Sequence, residues 1–302
     1  MRPAAKRELV TYAHKRHRVS KRQACKLFTI RESVYYYCPR PSDDHKVKEA
    51  LAELAEVNTR WGFWMMHYRL RDVGYHWNHK KVYRIYTEMG LNLRRKHKRR
   101  LPSRIKEPLV QPLYPNLTWS MDFMHDSLTG GGSLRSFNVI DDFNREALSI
   151  TIDRSINSKR VVKELDRLVE WRGKPARLRV DNGPEFIAQN LADWCQTNNI
   201  ELKFIQKGKP SQNGYIERFN RTYRTEVLDC YQFNSLDEVR VITDAWIWMY
   251  NNERPHSSLA YNPPVRFALK YGYLKKEIPT FQHDITINND WKNLILNTPK
   301  VG

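Results

Sequence analysis

The chain has 302 residues and a formal net charge of +19, from 52 Lys and Arg against 33 Asp and Glu. With 40% hydrophobic and 12% aromatic residues it can build a core, which excludes a disordered chain, and its length allows two or three domains. No apolar run nears the roughly 18 residues of a membrane span, and the basic N-terminus MRPAAKRELVTYAHKRH lacks a signal peptide's apolar stretch; the expected location is the cytoplasm, with no membrane partner.

The charge is uneven. Residues 1–112 hold 27 Lys and Arg against 10 Asp and Glu, whereas the rest hold 25 against 23. A separate basic module points to nucleic acid, because a merely solubilising charge would be spread along the chain. Cys25, Cys38, Cys195 and Cys230 form no CxxC pair, so they read as isolated reduced thiols rather than a zinc site or disulfide framework.

From Ala4 to about Tyr37 the pattern predicts short helices. In VSKRQACKLFTIRESVYYY, Ser20 is placed to cap a helix, Ala24 and Leu27 form an apolar pair, Phe28-Thr29 breaks the pattern, and a further turn starts near Arg31. The spacing suits a helix-turn-helix, and equally a plain pair of packed helices. After the break Pro39-Arg40-Pro41-Ser42, a second helical zone follows Val47, Leu51 and Leu54, then Trp64, Met65, Tyr68 and Leu70, then Val82, Ile85 and Tyr86. Asn78 is placed to cap its last helix and Gly90 to end it. LRRKHKRRLPSRIKEP then carries eight bases between Arg94 and Lys106. Such a block is a solvated linker or a set of phosphate contacts, and Arg94, Arg95, Lys96, Lys98, Arg99 and Arg100 are the expected contacts.

From about Tyr114 the chain changes character. TWSMDFMHD, SFNVIDD and ALSITID predict three antiparallel strands. A helix over Ser158–Trp171, the strand ARLRV, a helix over FIAQNLADWCQTNN and the strand ELKFI follow, with later helices over Asn213–Val227 and Leu236–Tyr250. This order predicts a mixed α/β layer fold.

Three acids stand out. Asp122 sits inside a predicted strand, against propensity, on the face opposite Trp119, Met121 and Phe123. Asp181 opens DNGPEF directly after a strand, where α/β sheets gather their ligands. Glu217 is the single acid of QKGKPSQNGYIERFNRTYR, which surrounds it with five bases and four amides.

Asp122, Asp181 and Glu217, with 35 residues between the last two, together with DNGPEF, GKPSQNGYIERFN and YNNERPHSSL, resemble the DDE transposase and retroviral integrase superfamily. Within it they resemble in particular the OrfB product of bacterial insertion sequences with two overlapping reading frames. WGFWMMHYRLRDVGYHWNHKKVYRIYTEMGLNLRRK also resembles that family's helical module, so the likeness spans nearly the whole chain. It implies an RNase H-like core with a mixed five-stranded sheet and flanking helices, preceded by an all-helical DNA-binding region. The expected domains are a helix-turn-helix-like segment at 1–40, a helical DNA-binding module at 43–100, a basic linker at 101–113, the catalytic core at 114–272 and a tail at 273–302.

The resemblance further implies that Asp122, Asp181 and Glu217 form a catalytic triad holding two Mg²⁺ or Mn²⁺ ions, hard cations suited to carboxylate oxygen. It implies strand cleavage and strand transfer at the element's inverted repeats, with Arg224 at the DNA terminus. Arg221, Lys207 and Lys209 are expected to add DNA contacts. The implied partners are element and target DNA, the upstream-frame OrfA product as fusion or partner, and further copies on nucleoid DNA. A DNA-binding regulatory subunit, inactive without the upstream product, is the alternative. A nuclease of the RNase H type shares the carboxylates but leaves the basic N-terminal third and Arg224 unexplained. Asp126, Asp141, Asp142, Glu185 and Glu226 are the competing acids, with Asp141 and Asp142 expected in a turn or at the surface.

Overall fold

The computed structural model describes residues 1–38, 44–94, 109–206 and 210–271. It forms two compact units, Met1–Lys46 and Val47–Gly302. The tail from 272 and the linker residues 101–108 lie outside the described residues.

In the first unit, α1 (Pro3–His17), α2 (Lys21–Leu27) and α3 (Glu32–Tyr35) surround Val10, Ala13, Ala24, Cys25 and Ile30. Ser20 caps α2 by accepting the Gln23 amide. The turn that follows places Thr29 at φ +49°, an uncommon and costly conformation for a β-branched residue. Lys6 donates to both the carbonyl and the hydroxyl of Thr29 at 3.0 Å, which holds the turn in a place where glycine is common. The segment after it is a single helical turn.

Helix α4 (Asp44–Val57) leads into the second unit, followed by α5 (Phe63–Asp72) and α6 (His79–Glu88). Asn78 caps α6 by accepting the Lys80 amide at 2.8 Å, and Gly90, at φ +70°, ends it. Three strands come next: β1 (Thr118–Ser127), β2 (Ser133–Asp141) and β3 (Ala147–Asp153). Then α7 (Ser158–Arg172), β4 (Arg177–Val180), α8 (Pro184–Ile187), α9 (Gln189–Asn198) and β5 (Glu201–Phe204) complete the sheet. A 3₁₀ turn, Pro210–Asn213, feeds α10 (Gly214–Tyr223), which widens into a π turn at Arg224–Leu228; α11 (Leu236–Asn252) and α12 (Pro264–Lys270) follow.

The strands lie in the order β3-β2-β1-β4-β5. Strands β1, β2 and β3 are antiparallel, while β4 runs parallel to β1 and β5 parallel to β4. This is the RNase H-like sheet. Alternation along β1 drives its two cores. Trp119 and Met121, with Phe137, Val139, Leu178 and Val180, pack beneath α7 and α9 on Val161, Leu165, Leu191 and Trp194. On the other face Met124, Ile140, Ile150 and Ile152 join Phe219, Tyr223, Trp246 and Tyr250 of α10 and α11. That second core continues into Leu51, Met66, Leu70, Val82 and Ile85, so α4–α6 share it with the sheet. Tyr68 stacks on Tyr261 at 4.1 Å, and the ion pairs Arg69–Glu253 and Arg266–Asp72 fasten α5 further.

Two segments depart from expectation. The predicted helix FIAQNLADWCQTNN is two helices, broken at Ala188, whose ψ of 136° is extended. The predicted helix over Asn213–Val227 is α-helical only from Gly214 to Tyr223. Four residues of 3₁₀ precede that stretch and the π turn follows it.

Candidate active site

Asp122 lies on the β1 face that meets α10. Its Oδ1 accepts the Phe123 amide at 2.9 Å, and its Oδ2 accepts Asn220 Nδ2 at 2.8 Å. Asn138, directly opposite Asp122 on β2, donates to Asn220 Oδ1 at 2.7 Å. Asn220 is therefore a bolt: it ties the helix bearing Glu217, three residues earlier, to two strands at once. Burial first, then the charges of Asp181 and Glu217, push the Asp122 carboxyl up to about 6, against the pull of its hydrogen bonds. Asp122 thus feels the charge of both other acids.

Asp181 follows β4 on the face shared by Arg177 and Arg179, and Arg179 is register partner to Ser120 on β1. Its Oδ1 accepts the Gly183 amide at 2.9 Å. A Cβ on Gly183 would stand 3.0 Å from that same oxygen, so glycine leaves the carboxylate its place. Glu185 is not a rival ligand in this arrangement. It pairs with Arg135 of β2 at 2.6 Å, and the Arg135 guanidinium lies 4.2 Å from the centre of the Phe123 ring. This clamp holds the DNGPEF turn against β1 and β2.

Glu217 is exposed on α10. The apolar stripe Ile216, Phe219, Tyr223 and Val227 is buried as its spacing predicts. Arg221 stays exposed. Arg224 begins the π turn. Its guanidinium donates to Asp126 Oδ2 at 3.0 Å and to the His125 carbonyl at 2.7 Å, at the end of β1. Among the described residues no group of three His, Cys, Asp or Glu side chains stands in metal-binding geometry. In the donor chemistry, three carboxylates fit a hard divalent cation, with Asp122 already held by two hydrogen bonds and Asp181 by one.

Comparison with known proteins decides the family. Residues 113–210 and 198–264 each match a family model described as integrase core domain, and residues 42–99 match one described as HTH-like domain. An insertion element IS407 protein of Burkholderia multivorans is 41% identical over 254 residues, covering 84% of this chain and 92% of its own. The chain belongs to the insertion-sequence transposases of the OrfB type.

An insertion element IS476 protein of Xanthomonas euvesicatoria is 37% identical, covering 89% of the transposase and 78% of its own chain. Among solved structures, the HTLV-2 integrase catalytic core domain in complex with magnesium is 18% identical with a TM-score of 0.40, covering 52% of the transposase and 98% of its own chain.

Three of the competing acids are engaged elsewhere in the fold. Asp141 and Asp142, expected in a turn or at the surface, are fully buried. Asp141 accepts the Asn116 and Phe143 amides at 2.8 and 2.9 Å, and Asp142 pairs with Arg179 of β4. They staple the β2–β3 turn to its neighbours. Glu226 is held by Arg254 and Trp246. Arg94 is exposed; Arg95, Lys96, Lys98, Arg99, Arg100, Lys207 and Lys209 lie outside the described residues. Gln212 accepts the Gln206 amide at 2.9 Å.

Sequence reasoning missed Asn220, Asn138 and Arg135. Asn220 left a signal: it is an amide beside the apolar stripe of a docking helix, and buried amides need partners. Replacing it, Asn220→Ala, strips Asp122 and Asn138 of a hydrogen bond each. The expected loss is about 1–3 kcal/mol of stability, read by urea unfolding, together with slower cleavage. Stability within a few tenths of a kcal/mol of wild type would show that the bolt carries nothing.

Proposed function

We propose that Asp122, Asp181 and Glu217 are the catalytic carboxylates with which the transposase cuts DNA at the ends of its element and joins the freed end to target DNA, with two Mg²⁺ or Mn²⁺ ions as cofactors. The observation that carries this reading is the Asn138–Asn220–Asp122 chain, which fixes the Glu217 helix to the Asp122 strand beside the Asp181 turn.

In the first step a water oxygen attacks the phosphorus at the element end. The bond to the 3′ oxygen breaks, leaving a 3′-hydroxyl and a 5′-phosphate. In the second step that hydroxyl attacks a target phosphodiester and displaces its 3′ oxygen, so one ester replaces another and no energy source is consumed. Divalent ions held by the three carboxylates would stabilise charge on the attacking and leaving oxygens. The protein's own work is placement. Asn220 orients Asp122, the Gly183 amide orients Asp181, and the Arg135–Glu185 clamp fixes the turn between them. Arg221 is open to phosphate, whereas Arg224 reaches it by exchanging Asp126 for DNA.

Under this reading residues 1–40 and 43–100 grip the element ends, 101–113 link, and 114–272 act. Joining two ends calls for more than one copy on the DNA. The upstream-frame OrfA product would add DNA binding and a coiled coil, since no sustained heptad occurs in this sequence. The test uses duplexes carrying the inverted repeats that flank the gene, with the chain alone and fused to the upstream frame. Chelation is expected to stop cutting and joining in every active form, and Mg²⁺ to restore both. Cutting that survives chelation would remove the metal from the account.

A further inference from the structure

Helix α10 has a flank beside the carboxylate site that faces α5 and α6. Arg218, Arg221 and Thr222 border a cleft of about 830 Å³ whose opposite wall is Phe63, Trp64 and Tyr83, from α5 and α6. A second hollow of about 490 Å³ shares Met65, Arg218, Thr222 and Arg254 with the first and reaches Gly214 at the start of α10. The two make one trough along the helix that carries Glu217.

Its chemistry is specific. The cleft lining contains Arg60, Arg218, Arg221 and Arg254, with Glu226 as its acid. Glu226 is already engaged by Arg254 at 2.6 Å and by Trp246 at 3.1 Å, so the other three arginines set the sign of the trough. Trp64 and Tyr83 are large rings left 45% and 52% exposed. Both are braced edge-on by Phe63, with ring centres 5.0 and 4.9 Å away, so little ordering is needed to present their faces.

Fixed aromatic faces beside arginines are the composition of a single-strand site, where bases stack and phosphates meet cations. A duplex keeps its base faces inside its own stack and gains nothing from such rings. The volume is that of a small-ligand pocket and suits a few nucleotides rather than a double helix. We propose that this trough binds a short unpaired stretch of DNA strand next to the carboxylates, with bases on Trp64 and Tyr83 and phosphates on Arg218 and Arg221. The inference rests on the transposase reading for the identity of the strand as substrate DNA.

The test is the affinity of the full chain for a labelled oligothymidine and for a blunt duplex, measured by fluorescence anisotropy with chelator present. Trp64→Ala and Tyr83→Ala should each weaken single-strand binding by about ten-fold and leave duplex binding within about two-fold. Trp64→Phe should keep most of the affinity, and Arg221→Gln, which disturbs no packing, should weaken single-strand binding too. Unchanged single-strand affinity in both alanine variants overturns the proposal, as does an equal loss on duplex, which would mark a duplex-docking face. Altered self-association with unchanged DNA binding also overturns it, in favour of a second copy as occupant. Because no metal is present, a failure of the carboxylate reading, seen as a cutting-competent Glu217→Gln, leaves this result untouched.

Discussion

Asp181→Asn and Glu217→Gln should each abolish strand cutting and strand joining, with a loss of about 10³-fold or more, while binding to element ends is retained. The size follows from the role. Each substitution keeps shape and hydrogen-bonding atoms but removes one negative charge, so it removes a hard ligand without opening a cavity. Charge stabilisation by a held cation is worth several kcal/mol at the transition state, and each 1.36 kcal/mol is a factor of ten. Binding persists because removing an acid beside a phosphate lowers repulsion. Glu217 is exposed and Asp181 half-buried, so neither change should unfold the core. Gel-shift and strand-transfer assays on one preparation separate the two effects. Joining that survives in either variant would remove the triad from the mechanism.

The second large effect is on stability. Glu226→Ala strands Arg254, whose guanidinium makes three hydrogen bonds to that one carboxylate, at 2.6, 3.0 and 3.0 Å. Glu226 and Arg254 side chains are only 8% and 13% exposed, and Trp246 loses its acceptor as well. Breaking a buried pair from one side leaves an uncompensated charge and costs about 3–5 kcal/mol, lowering the melting midpoint by on the order of 10 °C. Arg254→Met added to Glu226→Ala should recover part of that loss, because the stranded charge is gone. A single-variant loss under about 1 kcal/mol would show that the pair is solvated. The consequence for function is indirect: Glu226 sits on the π turn that continues α10, so the pair anchors the far end of the Glu217 helix.

The sequence was most readable where structure is local. ALSITID is β3 to the residue, Ser20 and Asn78 cap as their side chains predict, and Gly90 stops α6. Each of these rests on neighbours within a few positions. Which β1 side chains share a face follows from alternation, read in the same way, whereas the strand order β3-β2-β1-β4-β5 comes from pairings across the chain. What stayed hidden depends on partners far along the chain. Asp142 sits in the turn its position suggests, but not at the surface, because Arg179, 37 positions away, pairs with it inside the protein. Asn220 could not be assigned a role from the sequence because its two partners, Asp122 and Asn138, come from strands 98 and 82 positions earlier. The break at Ala188 had no proline or glycine to mark it. Arg224 matched a family pattern in sequence, and only the fold shows it spent on Asp126 and the His125 carbonyl at the end of β1.

The most direct test of the account is a change of ligand atom. Asp181→Cys puts a soft thiolate where a hard carboxylate stands, which disfavours Mg²⁺ far more than Mn²⁺. Cleavage of element-end DNA by this variant, in the active form of the enzyme, should be lost in Mg²⁺ and partly restored in Mn²⁺, while the wild type cuts in both. Equal cutting by Asp181→Cys in the two metals, at wild-type rate, would contradict the claim that Asp181 holds a catalytic ion.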